Sequence, residues 1–140
     1  MKTLKEDNLS QLDFNKFIEL LEKPNIFYRD KLLDMFERQR KFQTFLGSRF
    51  KTGEVNYEEL RIAALSIIAE LGEILEACQG WKPWRKNPPP VDRNHLLEEL
   101  ADIWHFIINL TLFLGYSPEQ LYNMFVNKNA TNWKRQAGGY

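Results

Sequence analysis

Two stretches of this 140-residue chain, 56–79 and 92–114, are apolar nearly all round when wound as helices, yet each holds a pair of acids three residues apart. In the first, Leu60, Ile62, Ala63, Leu65, Ile67, Ile68, Leu71, Ile74 and Leu75 cover most of the circumference, and the acids are Glu70 and Glu73. In the second the acids are Glu99 and Asp102. A helix wetted along one side does not carry apolar residues all round, so both are expected to be buried on several sides. The spacing of three puts each pair on one face, a turn apart. A proline-rich loop over 80–91 joins the two helices, so they are expected to run antiparallel as a central hairpin, with Glu73 near the same end as Glu99. An ionised carboxylate in such surroundings is costly unless it meets a cation. Four converging carboxylates offer hard oxygen ligands of the kind that hold Mg²⁺ or Mn²⁺, with positions left for water and substrate phosphates. Solvated surface acids are the plainer alternative, and two such pairs on adjacent apolar helices argue against it. Glu76 and Glu98 are expected behind the ligands or in solvent.

Outside the hairpin, apolar residues recur at helical spacing and Gly and Pro gather at a few breaks, so the class is all-α, with about five helices. A helix over 10–22, carrying Leu12, Phe17, Leu20 and Leu21 and ended by Pro24, reads as an accessory arm within 1–24. A helix over 28–46 is expected to turn Leu32, Leu33, Met35, Phe36, Phe42 and Phe45 inward and to stop at Gly47. Asn56 is a capping residue for the next helix, with Glu59 placed to return the bond. Ser117, Pro118 and Gln120 form a helix start by the same logic, and that last helix fades near Gln136. The whole of 1–140 reads as one domain. The outer helices supply only partial apolar faces, too little to wrap the hairpin, so a homo-oligomer is expected, most simply a twofold dimer.

Nineteen basic and nineteen acidic side chains cancel, so no global field draws nucleic acid or an anionic membrane, and any anion chemistry must be local. The longest apolar stretches are interrupted by Asp102, His105 and Asn109, and no membrane partner is expected. Cys78 stands alone, and residues 1–7 lead into no apolar signal segment, so a reducing cytoplasm is the expected compartment.

Three further groups stand near the acids in sequence. His105 and Asn109 continue the polar stripe of the 92–114 helix. They either satisfy each other or the backbone, or line a pocket beside the acids, where the donor and acceptor of Asn109 suit a pyrimidine edge. The loop places Trp81 and Trp84 among the cations Lys82, Arg85 and Lys86; such cations grip triphosphate oxygens and a Trp covers a base, unless Trp81 simply plugs the core and the cations are solvated. On the last helix Lys128, Asn132 and Arg135 share a face, either solvated or phosphate-binding, with Leu121 and Phe125 opposite and able to pack inward.

The strings Glu70-Leu-Gly-Glu73, Trp81-Lys-Pro-Trp84, Glu98-Glu-Leu-Ala-Asp102-Ile-Trp-His105-Phe106 and the closing run 128–140 together resemble the all-α nucleoside triphosphate pyrophosphatases. Within these the chain is most similar to the dimeric-type dUTPases, with MazG-like enzymes as cousins, over roughly 57–140. The paired ExxE and ExxD belong to the whole superfamily, and the loop, the His-Phe after the aspartate and the closing run point to the dUTPase-like branch. The resemblance implies that Glu70, Glu73, Glu99 and Asp102 hold Mg²⁺ and that one glutamate orients the attacking water. It implies phosphate contacts for Lys82, Lys128 and Arg135, and places Trp84, Asn109 and Asn132 near the nucleoside. A base-contacting glutamine falls at Gln39 or Gln43. The 10–22 helix has no counterpart in the family pattern. The expected reaction is dUTP to dUMP and pyrophosphate, with dCTP, dGTP or a broader set of triphosphates as alternatives. Two readings from other classes compete: a di-iron carboxylate bundle, for which the acid-x-x-His pair Asp102 and His105 has no second copy, and a non-catalytic helical binding module.

Overall fold

The computed structural model describes residues 30–137, and among these there are four helices and no strand. They are α1 (Lys31–Phe45), α2 (Tyr57–Ala77), α3 (Arg93–Phe113) and α4 (Pro118–Ala137), with a single 3₁₀ turn, Gln79–Trp81, after α2. The expected 10–22 helix lies outside the described residues, which accounts for four helices against the five read from the sequence.

Each start has a side-chain cap. Asp30 accepts from the Leu33 N–H, Asn56 from that of Glu59, and Asp92 from those of Asn94 and His95. Ser117 and Gln120 exchange bonds in both directions, at 3.2 and 2.9 Å, as the capping box requires. At Asn56 the box is only half made, because its own N–H donates to the Phe113 carbonyl at 2.8 Å rather than to Glu59. That bond pins the entry to α2 against the end of α3. Gly115 completes the junction: its φ is +79°, and a Cβ there would lie 2.5 Å from the Glu54 carbonyl oxygen.

α2 and α3 pack side by side as the main pair, α1 lies on α3, and α4 touches α1. The core sits where these meet, with Phe36, Ile108 and Leu112 fully buried and Leu32, Phe50 and Leu121 packed on them. Phe50 also tilts against Phe113, ring centroids 6.2 Å apart, and the Arg40 guanidinium lies 5.0 Å over the Phe50 ring.

α1 departs from the expected pattern. Phe42 and Phe45 are 49% and 69% exposed, and the buried residues are Phe36, Gln39 and Gln43. These three repeat at i, i+3 and i+7 and so form one stripe, whereas Phe45 falls on the opposite side of the helix from Phe36. The hairpin is also barer than expected. On α2 only Ala63 is buried, while Ile62, Leu65, Ile68, Leu71 and Leu75 face outward, as do Leu97, Leu100 and Trp104 on α3. α1 and α4 cover the C-terminal half of α3 and leave this stripe to whatever else packs there. No single described helix is long and apolar enough to cross a membrane.

Candidate active site

The antiparallel packing of α2 on α3 brings Glu70, Glu73 and Glu99 together: each can offer one carboxylate oxygen so that all three oxygens lie within 4.8 Å of one another. Glu99 is buried, Glu70 half-buried and Glu73 exposed. Asp102 is exposed and stands outside this closest set, yet its charge is felt by Glu70. Partial desolvation and the neighbouring charges of Glu73, Asp102 and Glu99 hold the Glu70 carboxyl above the usual carboxylate range. Three hard oxygens at this spacing, destabilised by their own repulsion, are a donor set that a small divalent cation such as Mg²⁺ or Mn²⁺ fits.

Two further groups border this centre: His95, which was not among the residues expected here, and Glu76, which was expected behind the ligands or in solvent. His95 Nδ1 lies 3.3 Å from Glu99 Oε1, an i,i+4 pair that its spacing could have revealed. Glu76, one turn beyond Glu73, meets the loop: Oε1 accepts from Lys82 Nζ at 3.0 Å and Oε2 from Gln79 Nε2 at 3.1 Å. Glu73, Glu76 and His95, together with Ala69, Gly72 and Ala77, line an open recess of about 500 Å³. Glu98 is exposed.

The loop is organised by its aromatics. Trp81 is half exposed rather than a core plug, and its Nε1 donates to the Leu75 carbonyl at 2.9 Å. Trp84 stands edge-on to it at 5.9 Å and is 71% exposed. The Lys82 ammonium lies 5.6 Å over the Trp81 ring. Arg85 and Lys86 are exposed.

Gln39 and Asn109 form a buried pair, Gln39 Nε2 donating to Asn109 Oδ1 at 2.9 Å. Asn109 thus finds its partner on α1 and not in His105, which is exposed. Gln43 is buried as well and accepts from Ser48 Oγ at 2.8 Å. Asn109 follows Asp102 by seven residues, nearly the same helix face about 10 Å further along.

Lys128, Asn132 and Arg135 are all exposed on α4, and Phe125, expected to pack inward, is 66% exposed. The cause is the 106° bend between α3 and α4. Leu121, in the first turn, still reaches the core, but Arg135 lies about 25 Å along a helix that departs steeply from α3, while Asp102 lies about 16 Å back along α3 from its end. The described chain does not bring these cations to its own acids.

A sequence profile of the dUTPase family matches residues 31–114. The chain belongs to the dUTPase family. The dUTPase match takes in α1, the hairpin and the loop, including the four acids, Gln39, Gln43 and Asn109, and stops before α4. Two phage proteins, each described as a dCTP pyrophosphatase, are similar to this dUTPase-family chain. That of Enterobacteria phage LZ5 is 36% identical over 76 residues, 46% of this chain and 44% of the relative. That of Enterobacteria phage T4 is 30% identical over 89 residues, 53% of this chain and 52% of the relative. The chain therefore spans about half the length of the curated relatives it matches. No solved structure matches it.

Proposed function

We propose that the protein is a metal-dependent nucleoside triphosphate pyrophosphohydrolase that converts a pyrimidine deoxynucleoside triphosphate, dUTP or dCTP, to the monophosphate and pyrophosphate. The observation that carries this reading is the convergence of Glu70, Glu73 and Glu99 at the loop end of the hairpin, in a chain of the dUTPase family. dUTP is the substrate named by the family. dCTP is favoured by a separate observation, the description of both phage relatives. The polar atoms left over by the Gln39–Asn109 pair, an acceptor on Gln39 and a donor on Asn109, suit the edge of either base once the pair is opened to it.

Glu70, Glu73, Glu99 and Asp102 are the residues that would hold Mg²⁺ or Mn²⁺. The metal, when bound, would neutralise phosphate charge and lower the pKa of a water beside it. A glutamate of the cluster would accept a proton from the attacking water as the water oxygen bonds to phosphorus and the bond to the departing pyrophosphate breaks. Lys82 and Arg85 stand on the loop next to the acids, suited to the developing negative charge. Trp84 offers an open ring face to the nucleoside, and His105 lies between Asp102 and Asn109.

The same proposal includes a homodimer. Ile68, Leu71 and Leu75 on α2, with Leu97, Leu100 and Trp104 on α3, form an exposed apolar stripe that a second copy would cover. The Lys128, Asn132 and Arg135 face of α4 would then serve a site other than its own. Sedimentation of the purified protein reports the state, and a monomer at working concentration would refute this part.

The test of the activity is incubation with Mg²⁺ and each dNTP and NTP in turn, resolving nucleotides and assaying pyrophosphate. Conversion of dUTP or dCTP, abolished by EDTA, is the expected result, and the ratio of the two rates decides between them. No turnover of any triphosphate by folded protein would overturn the reading.

A further inference from the structure

We propose that Glu76 is a positioning residue for triphosphate binding: it is not itself a ligand of the metal, and it holds Lys82 at the rim of the acidic cluster. This inference rests on the functional reading above. Glu76 follows Glu73 by three residues on α2, one turn further from Glu70, and both its oxygens are already engaged by donors that follow the helix. One is the Lys82 ammonium and the other the Gln79 side-chain amide.

The surroundings show that the contact sets the geometry of the loop. The Lys82 side chain is only 18% exposed while that of Glu76 is 67% exposed, so it is the lysine that is drawn in and the glutamate that stays at the surface. A lysine side chain drawn in this far needs a counter-charge for its ammonium, and Glu76 is the carboxylate that meets it. The Trp81 ring beneath it adds a cation–π contact, and the ring is itself fixed by its bond to the Leu75 carbonyl, one residue before Glu76. Gln79 turns its nitrogen to Glu76 although this leaves its Oε1 buried without a partner among the described residues. That unmet acceptor is a cost borne by the arrangement. The last turn of α2 and the start of the loop thus form one unit in which Glu76 decides where the lysine sits. Its place is one helical turn, about 5 Å, beyond Glu73. A triphosphate held at the acids would meet the ammonium there, and Lys82 would need only to shift from carboxylate to phosphate.

The test is a double-mutant cycle on steady-state kinetics with the preferred triphosphate, comparing Glu76→Ala, Lys82→Ala and the two combined. Glu76→Ala is expected to raise KM about tenfold with kcat within about twofold, because the lost lysine contact is made in ground state and transition state alike. The combined variant is expected to match Lys82→Ala alone. Glu76→Gln, which keeps an oxygen for Lys82, is expected to recover most of the lost affinity. Additive effects of the two alanines would overturn the proposal. A fall in kcat at unchanged KM, or a raised Mg²⁺ requirement, would overturn it too, by placing Glu76 among the metal ligands. An inactive wild type would refute the functional reading instead, so the two failures are told apart in one assay.

Discussion

The two ends of the α2–α3 hairpin are built on opposite terms. At the end where α2 begins and α3 finishes, Phe36, Ile108 and Leu112 are sealed from water, Phe50 and Leu121 close over them, and the backbone of 53–56 is hydrogen-bonded to that of 113–115. At the other end, Glu70, Glu73 and Glu99 repel one another around an open recess, and the loop is tied down by polar contacts to Glu76 and Leu75. Stability is concentrated where apolar area is removed from water, and the candidate chemistry sits where like charges are held close against their preference. An acidic cluster of this kind tends to destabilise the metal-free protein, and the packed end must offset it.

If that division is right, substitutions at the two ends have separable effects. The largest is expected from Glu73→Gln: turnover falls by about a thousandfold or more, in line with loss of a group that acts on the reacting phosphate, while the metal-free melting temperature stays level or rises because one repelling charge has gone. A large fall in melting temperature would break the comparison. Next, Phe36→Ala is expected to cost about 3–5 kcal/mol of stability by emptying the core, measured by urea unfolding, with kcat per folded molecule little changed. A kcat collapse in folded Phe36→Ala protein would show that the two ends are coupled. Smaller still, Gly115→Ala is expected to lower stability by about 2–3 kcal/mol, since a positive φ and a Cβ pressed on the Glu54 carbonyl both oppose it. Retained stability there would mean that the junction yields easily, and would sharpen the account towards the side-chain core alone.

Much of this architecture could be read from residues alone. Ser117 with Gln120 and Asn56 with Glu59 marked helix starts to within a residue, because capping is chemistry between near neighbours in sequence. The two acidic pairs were legible for the same reason: spacing of three on a helix fixes a shared face whatever the helix packs on. Where the reading failed, the missing information was long-range. Phe42 and Phe45 look like core residues by type, but α1 turns Gln39 and Gln43 inward because Gln39 has a partner 70 residues away. Phe125 looks like a partner for Leu121, but the bend after α3 carries it off. Glu76 was expected behind the ligands or in solvent, and only the folded loop shows that its partner is Lys82.

The sequence by itself determined the helical class, the places where α2, α3 and α4 begin, the hairpin with its acids at one end, and the family. Those follow from periodicity, caps and local motifs, which act over a few residues and survive any packing. Which glutamine meets Asn109, which three of the acids stand closest, where Lys82 rests and where α4 points were decided by tertiary structure alone. Each of these depends on side chains from separate helices competing for the same space and the same hydrogen bonds, and that competition is settled only when the helices dock.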